Sequence, residues 1–169
     1  MKNRRLISPE ELSGNAFEMI GKDWMLITAS RGEEYNTMTA SWGGVGVLWN
    51  KPVCFCFVRP QRYTHEFTEQ GDRLTLTFFG GEYKKELGYC GRVSGRDTDK
   101  VRDCGFTEVR DSDGYVYFDE AKVVVCARKL YRDVLREDGF LDKTLLSNYS
   151  AGDYHTVYVC EIEKVLVSE

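Results

Sequence analysis

The chain sets short apolar runs between polar, glycine-bearing breaks, and few of those runs carry the 3.6-residue period of a long helix. WMLITA at 24–29 is a continuous apolar run of the length of a buried strand. SRGEEYN reads as a turn, and the small and β-branched residues of 37–42 as the next strand. A glycine-rich turn follows, with Gly43, Gly44 and Gly46 among Trp42, Val45, Val47, Leu48 and Trp49. Asn50-Lys51-Pro52 breaks the chain before a strand at 53–58. A short helix is predicted at 63–70, closed by Gly71. RLTLTFF at 73–79 alternates like a strand with one wet face. Helical stretches at 82–89 and 98–104, the second stopped by Gly105, are joined by the loop CGRVSGRDTDK. Strands at 106–110 and 115–118 flank the turn Asp111-Ser112-Asp113-Gly114. Long strands are predicted at 121–131 and 154–167, with mixed loop and helical signals over 132–146. Near the start, Ser8-Pro9-Glu10-Glu11 is a capping-box signal. A helical turn at 15–20, capped by Asn15 and stopped by Gly21, would face Phe17 and Ile20 inward.

Strands outnumber helices, and most connections are too short for parallel crossovers. The predicted class is therefore mainly β, an antiparallel barrel with peripheral short helices. With no repeat or linker, 169 residues suggest a single domain spanning the whole chain.

Charge narrows the partners. With 27 acidic against 23 basic residues, there is no overall positive field to draw nucleic acid or anionic lipid. A phosphate-bearing small molecule needs only a local positive site. No apolar run approaches a bilayer-spanning length, and MKNRRLISPEEL lacks the apolar core of a signal peptide, so a cytoplasmic location is expected. The six cysteines are then expected to be reduced, most of them as small core residues. Cys54 and Cys56 would share a strand face, but as a metal site they lack a second pair of ligands.

The stretch 36–64, NTMTASWGGVGVLWNKPVCFCFVRPQRYT, carries the candidate chemistry. Hydroxyls, backbone amides and aromatic walls suit a flat aromatic ligand, and Arg59, Arg62 and Thr64 suit an anionic tail. From residue types alone, a tight packed turn with two surface arginines explains the same stretch.

NTMTASWGGVGVLWNKP followed by VRPQRYT resembles the flavin reductase-like family of FMN-binding split-barrel proteins, which includes flavoredoxin-like members. GKDWMLITA at 21–29, CGRVSGRDTDK at 90–100 and GDYHTVYVCEIEKV at 152–165 extend the match over nearly the whole chain. The resemblance implies a six-stranded antiparallel Greek-key split barrel, and a homodimer with FMN bound near the interface. It places Asn36, Thr37, Met38, Thr39, Ser41 and Trp42 beside the isoalloxazine ring. Arg59, Arg62, Tyr63 and Thr64 would hold the phosphate, and Ser94, Arg96 and Lys100 would add polar contacts.

Each assignment has a plainer competitor. Thr37, Thr39 and Ser41 alternate, which suits a hydroxyl-lined ligand face or an exposed strand face. Trp42 could edge the ring or fill the core, and Trp49 is expected in the core. Lys100 suits the phosphate, the reduced ring or simply solvent, and Arg96 and Ser94 share that ambiguity. His155 could stand near a nicotinamide, with a structural histidine bonded to a neighbouring loop as the default; His65 is expected on a helix surface.

The implied activity is an NAD(P)H-dependent flavin reductase, with hydride passing from nicotinamide to flavin N5 and no obligatory acid, base or nucleophile. The acceptor would be free flavin, a protein or a metal complex. Competing readings are a flavoredoxin-like electron carrier reduced by a partner protein, a flavin-storage or sensing module, or another ligand such as pyridoxal phosphate or haem on the same barrel.

Overall fold

A computed structural model describes residues 2–169. In chain order the strands and α-helices are β1 (Arg4–Ile7), β2 (Met25–Arg31), β3 (Glu34–Ala40), β4 (Gly43–Leu48), β5 (Lys51–Val58), α1 (Tyr63–Gln70), β6 (Arg73–Phe78), α2 (Lys84–Arg92), α3 (Lys100–Asp103), β7 (Glu108–Arg110), β8 (Val116–Phe118), β9 (Val123–Val134) and β10 (Thr156–Ser168).

One sheet runs β3-β2-β6-β9-β10-β5-β4, with β1 added on β10 as its eighth strand, and β7 pairs with β8 apart. Every pairing is antiparallel, as the short connections require. The mainly β, antiparallel class expected from the sequence holds, with eight strands in the sheet where six were implied. Strand β1, absent from the sequence reading, is one of the additions. The strands β3 and β4 are the two ends of the sheet order, yet only Ser41 and Trp42 join them. Three peptide steps span at most about 11 Å, so the sheet must curl until its edges nearly meet. The barrel is split at that point.

Two cores flank the sheet. The inner one holds Met25, Ile27, Cys54, Cys56, Leu74, Leu76, Phe78, Tyr158 and Cys160. The outer one lies between the sheet, α2 and the β7–β8 pair, around the stacked rings of Phe79, Phe106 and Phe118. This second layer removes the wet face expected of β6: Thr75 and Thr77 are buried too, and the Thr75 hydroxyl donates to the Val116 carbonyl at 2.6 Å.

The Ser8 capping box forms as expected. Helix α1 ends at Gly71, as the breaker predicts. The segment Phe17–Lys22 is a π-helical turn that runs through Gly21, and Phe17 is 89% exposed, not inward. The wider π repeat changes which side chains share a face, so the α-helical spacing misplaced Phe17 while Ile20 stayed buried. The expected glycine-rich turn is strand β4, made possible by β5 alongside, with the Phe55 ring over Gly44 and Gly46. Trp49 is half-exposed, not in the core. It and Asn50 form the two-residue β4–β5 turn with φ of 53° and 56°, the left-handed pair such a hairpin demands. Strand β9 continues through Val134 because β10 pairs it as far as Thr156.

Candidate functional site

The open edge of β3 organises the site. Among the described residues its only strand neighbour is β2, so the other edge has no strand beside it, and the Thr37 carbonyl accepts from Lys100. Two hollows lie along it. One, of about 240 Å³, is lined by Met38, Thr39, Ala40, Ser41, Trp42, Phe57, Arg59, Arg62 and His155. The other, of about 480 Å³, is lined by Tyr35, Asn36, Thr37 and residues 95–101, including Arg96 and Lys100.

The threonine hydroxyls of β3 are not free. Thr37 is buried, and its hydroxyl lies 2.9 Å from that of Thr28 and 3.3 Å from the Ile27 carbonyl. Thr39 donates to the Leu87 carbonyl. Thr37 and Thr39 therefore present backbone, and Ser41 is left as the hydroxyl of the three with room to serve the first hollow. Thr64 is fully buried and accepts from Asn36 Nδ2 at 2.7 Å, so it sits behind the strand and lines neither hollow. Tyr63 packs edge-on against Phe67. Ser94 accepts from the Arg96 amide at 3.2 Å, shaping the loop. Gly95 rests on Asn36 so closely that a Cβ there would overlap the Asn36 side-chain oxygen.

The cations divide by what neutralises them. Arg59 is paired with Asp153, bonds the Asn148 carbonyl at 3.0 Å and stacks over Tyr149. Arg96 is paired with Glu66 and stacks over Tyr63. Among the described residues Arg62 has no carboxylate partner. It donates instead to the Gly91 and Cys90 carbonyls, at 2.8 and 3.4 Å. Lys100 is 4% exposed and donates to the Thr37 and Cys90 carbonyls at 2.8 and 3.2 Å. Both cations thus cap the C-terminal end of α2, where a helix leaves carbonyls unsatisfied and its dipole favours positive charge. Burial, and then the neighbouring Arg62, pull the Lys100 pKa down to about 8. Burial also lowers that of Arg62, which stays charged at any physiological pH.

His155 is nearly buried, its Nδ1 2.8 Å from the Tyr149 hydroxyl. That is the structural bond to a neighbouring loop expected as the default. Its ring lies 5.3 Å from Trp42 and 6.3 Å from Phe57, walling the first hollow with aromatic surface. Burial, and then Arg59, push its pKa down to about 4, so the imidazole is neutral at pH 7. His65 is only partly exposed and bonds Thr156 at 2.9 Å.

Phe57 was missed in the sequence. Since Cys54, Cys56 and Val58 are buried, strand alternation sends Phe57 to the other face, and that alternation was the available signal. The carbonyls of Cys90 and Gly91 had no sequence signal.

An eight-stranded antiparallel split barrel with a cationic, aromatic-walled cleft at its seam is the class that fold and site define. The model of the flavin reductase like domain matches residues 19–169, and the chain belongs to that family. Solved structures of the same fold include an FMN-binding domain of a flavin reductases-like enzyme from Shewanella baltica, with a TM-score of 0.70 and 14% identity over 99% of this chain and 78% of that one. Flavoredoxin of Desulfovibrio vulgaris has a TM-score of 0.66 and 20% identity over 86% of this chain and 69% of its own. An FMN-binding protein from Thermus thermophilus, with bound p-hydroxybenzaldehyde, has a TM-score of 0.65 and 22% identity over 86% and 71%. No curated protein sequence matches this chain. No helix among the described residues is long and apolar enough to cross a membrane.

Proposed function

We propose that the chain binds FMN along the open edge of β3 and works as an NAD(P)H-dependent flavin reductase. The observation that carries this reading is Arg62, a cation without a carboxylate partner among the described residues, held in an aromatic-walled cleft. The residues fit the cofactor. Trp42, Phe57 and Met38 offer apolar walls for a flat ring system, and the β3 edge, with no strand beside it, offers backbone groups to its polar rim. Arg62 supplies a charge-assisted donor for the phosphate. The amides of Tyr63 and Thr64 open α1 without intrahelical partners, which favours an anion at the same end. The first hollow has two arginines and no lining carboxylate, whereas the second sets Arg96 and Lys100 against Asp97 and Asp99. With Arg59 neutralised by Asp153, the charge of Arg62 supports the first hollow as the phosphate site.

FMN held there would supply the hydride-transfer chemistry. The chain's part is placement: Trp42 and Phe57 would flank the ring, and neutral His155 adds no charge to the cleft. No side chain is required to shuttle a proton. The exposed apolar residues Val47, Trp49 and Tyr131, with the Trp49 and Tyr131 rings 6.3 Å apart, support a homodimer through the β4–β5 hairpin.

The test is anaerobic addition of NADH or NADPH to FMN-loaded protein. Bleaching of the flavin absorbance is expected with at least one nucleotide. Reduction by dithionite alone would reject the reductase reading in favour of an electron carrier.

A further inference from the structure

Three of the six cysteines meet inside the barrel, in the same core as Met38 and Ala40 of β3. Cys54 and Cys56 alternate along β5 and so share a face. Cys160 stands opposite Cys54 in β10. All three are fully buried, none is in a disulfide, and their sulfur atoms lie within 4.8 Å of one another. We propose that Cys54, Cys56 and Cys160 form a three-sulfur binding site for a soft d10 cation, Cu(I).

The donor set selects the ion. The cluster contains no carboxylate or imidazole, and thiolates alone favour soft cations. Structural zinc asks for a fourth ligand. A monovalent d10 ion is satisfied by three sulfurs in a plane. Metal–sulfur bonds of about 2.3 Å put three such sulfurs about 4 Å apart, so the trio need close by less than about 1 Å.

The surroundings assist. A Cu(I) ion held by three thiolates makes a site of net negative charge. Lys129 is the β9 residue paired with Cys160, and its ammonium favours the same negative charge. Each thiol that ligates gives up its proton, so three thiols and one Cu(I) release up to three protons and leave a site of charge −2. The way in is β4. It pairs over Cys54 and Cys56 through Val45 and Gly43, and β5 is its only hydrogen-bonded partner in the sheet.

The test is anaerobic titration of the reduced protein with Cu(I) in competition with bathocuproine disulfonate. One Cu(I) per chain should be withheld from the chelator, with proton release and a near-ultraviolet thiolate-to-copper absorption. Cys160→Val keeps the side chain's bulk, and should melt with the wild type yet surrender its copper. Cys54→Ala supplies the same reading should Cys160→Val misfold. The double variant Cys90→Ser with Cys104→Ser removes the other close thiols, 3.7 Å apart, and should bind as the wild type does. Complete loss of copper from the wild type to the chelator would overturn the proposal. So would retention by folded Cys160→Val or Cys54→Ala, or loss in the Cys90, Cys104 double variant.

Discussion

At the scale of single residues, the site turns on which charges are already spoken for. Arg59 and Arg62 stand three apart and look equivalent in the sequence, but Asp153 neutralises the first and only carbonyls hold the second. Arg62→Ala should therefore weaken FMN by roughly 10- to 100-fold, the loss of a charge-assisted bond of about 1.5–3 kcal/mol. Riboflavin, which lacks the phosphate, should lose far less. Arg59→Ala should cost FMN less than Arg62→Ala does. Parallel fluorescence titrations with the two ligands check this, and equal losses for both would remove Arg62 from the phosphate.

His155 makes a second prediction at this scale. Its pKa falls from an ordinary 6.5 unfolded to about 4 folded, so the unfolded chain takes up the proton first. Its contribution to stability is complete above pH 6.5 and drains away as pH falls, by about 2 kcal/mol at pH 5 and about 3 kcal/mol towards pH 4. Urea unfolding of the wild type and His155→Gln at pH 7 and pH 5 should show the wild type losing more. An equal loss in both would exclude His155 as the source.

Among the elements, the loop between α2 and α3 matters for how it leans on β3. Gly95→Ala must push either the loop or Asn36 aside, and Asn36 in turn holds Thr64 at the start of α1. The variant should lose about 1–3 kcal/mol of stability, as strained packing does, and bind FMN more weakly. An unchanged melting temperature would show that the loop adjusts freely. Much of this scale was legible beforehand. Helix α1, the capping box and the turn between β7 and β8 follow local rules, in which cap, breaker and turn residues sit within a few positions of one another. What escaped depended on distant partners. Strand β4 looked like a turn because its glycines say nothing of β5, and the Thr75 face of β6 looked wet because nothing local announces a second core. In the site, the cations were visible as residue types. Their pairing with Asp153, Glu66 or the α2 carbonyls was not, being set by chain segments tens of residues away.

For the whole molecule, the split in the barrel places the candidate cleft and the exposed hairpin at the same seam. The β3–β4 junction is where the sheet's two ends meet, and β4 carries Val47, 77% exposed, beside Trp49 in the turn. Val47→Asp should shift the protein to monomer in light scattering and loosen FMN in proportion. A variant that stays dimeric, or a wild type that is monomeric, would contradict the proposed interface.

The central claim is that the β3 edge and Arg62 together hold FMN. Titrating the folded, purified protein with FMN while following flavin fluorescence and absorbance tests it most directly. The predicted result is saturable binding of one FMN per chain, with a perturbed flavin spectrum and an affinity that falls in Arg62→Ala. A flavin signal unchanged by the folded protein would contradict it.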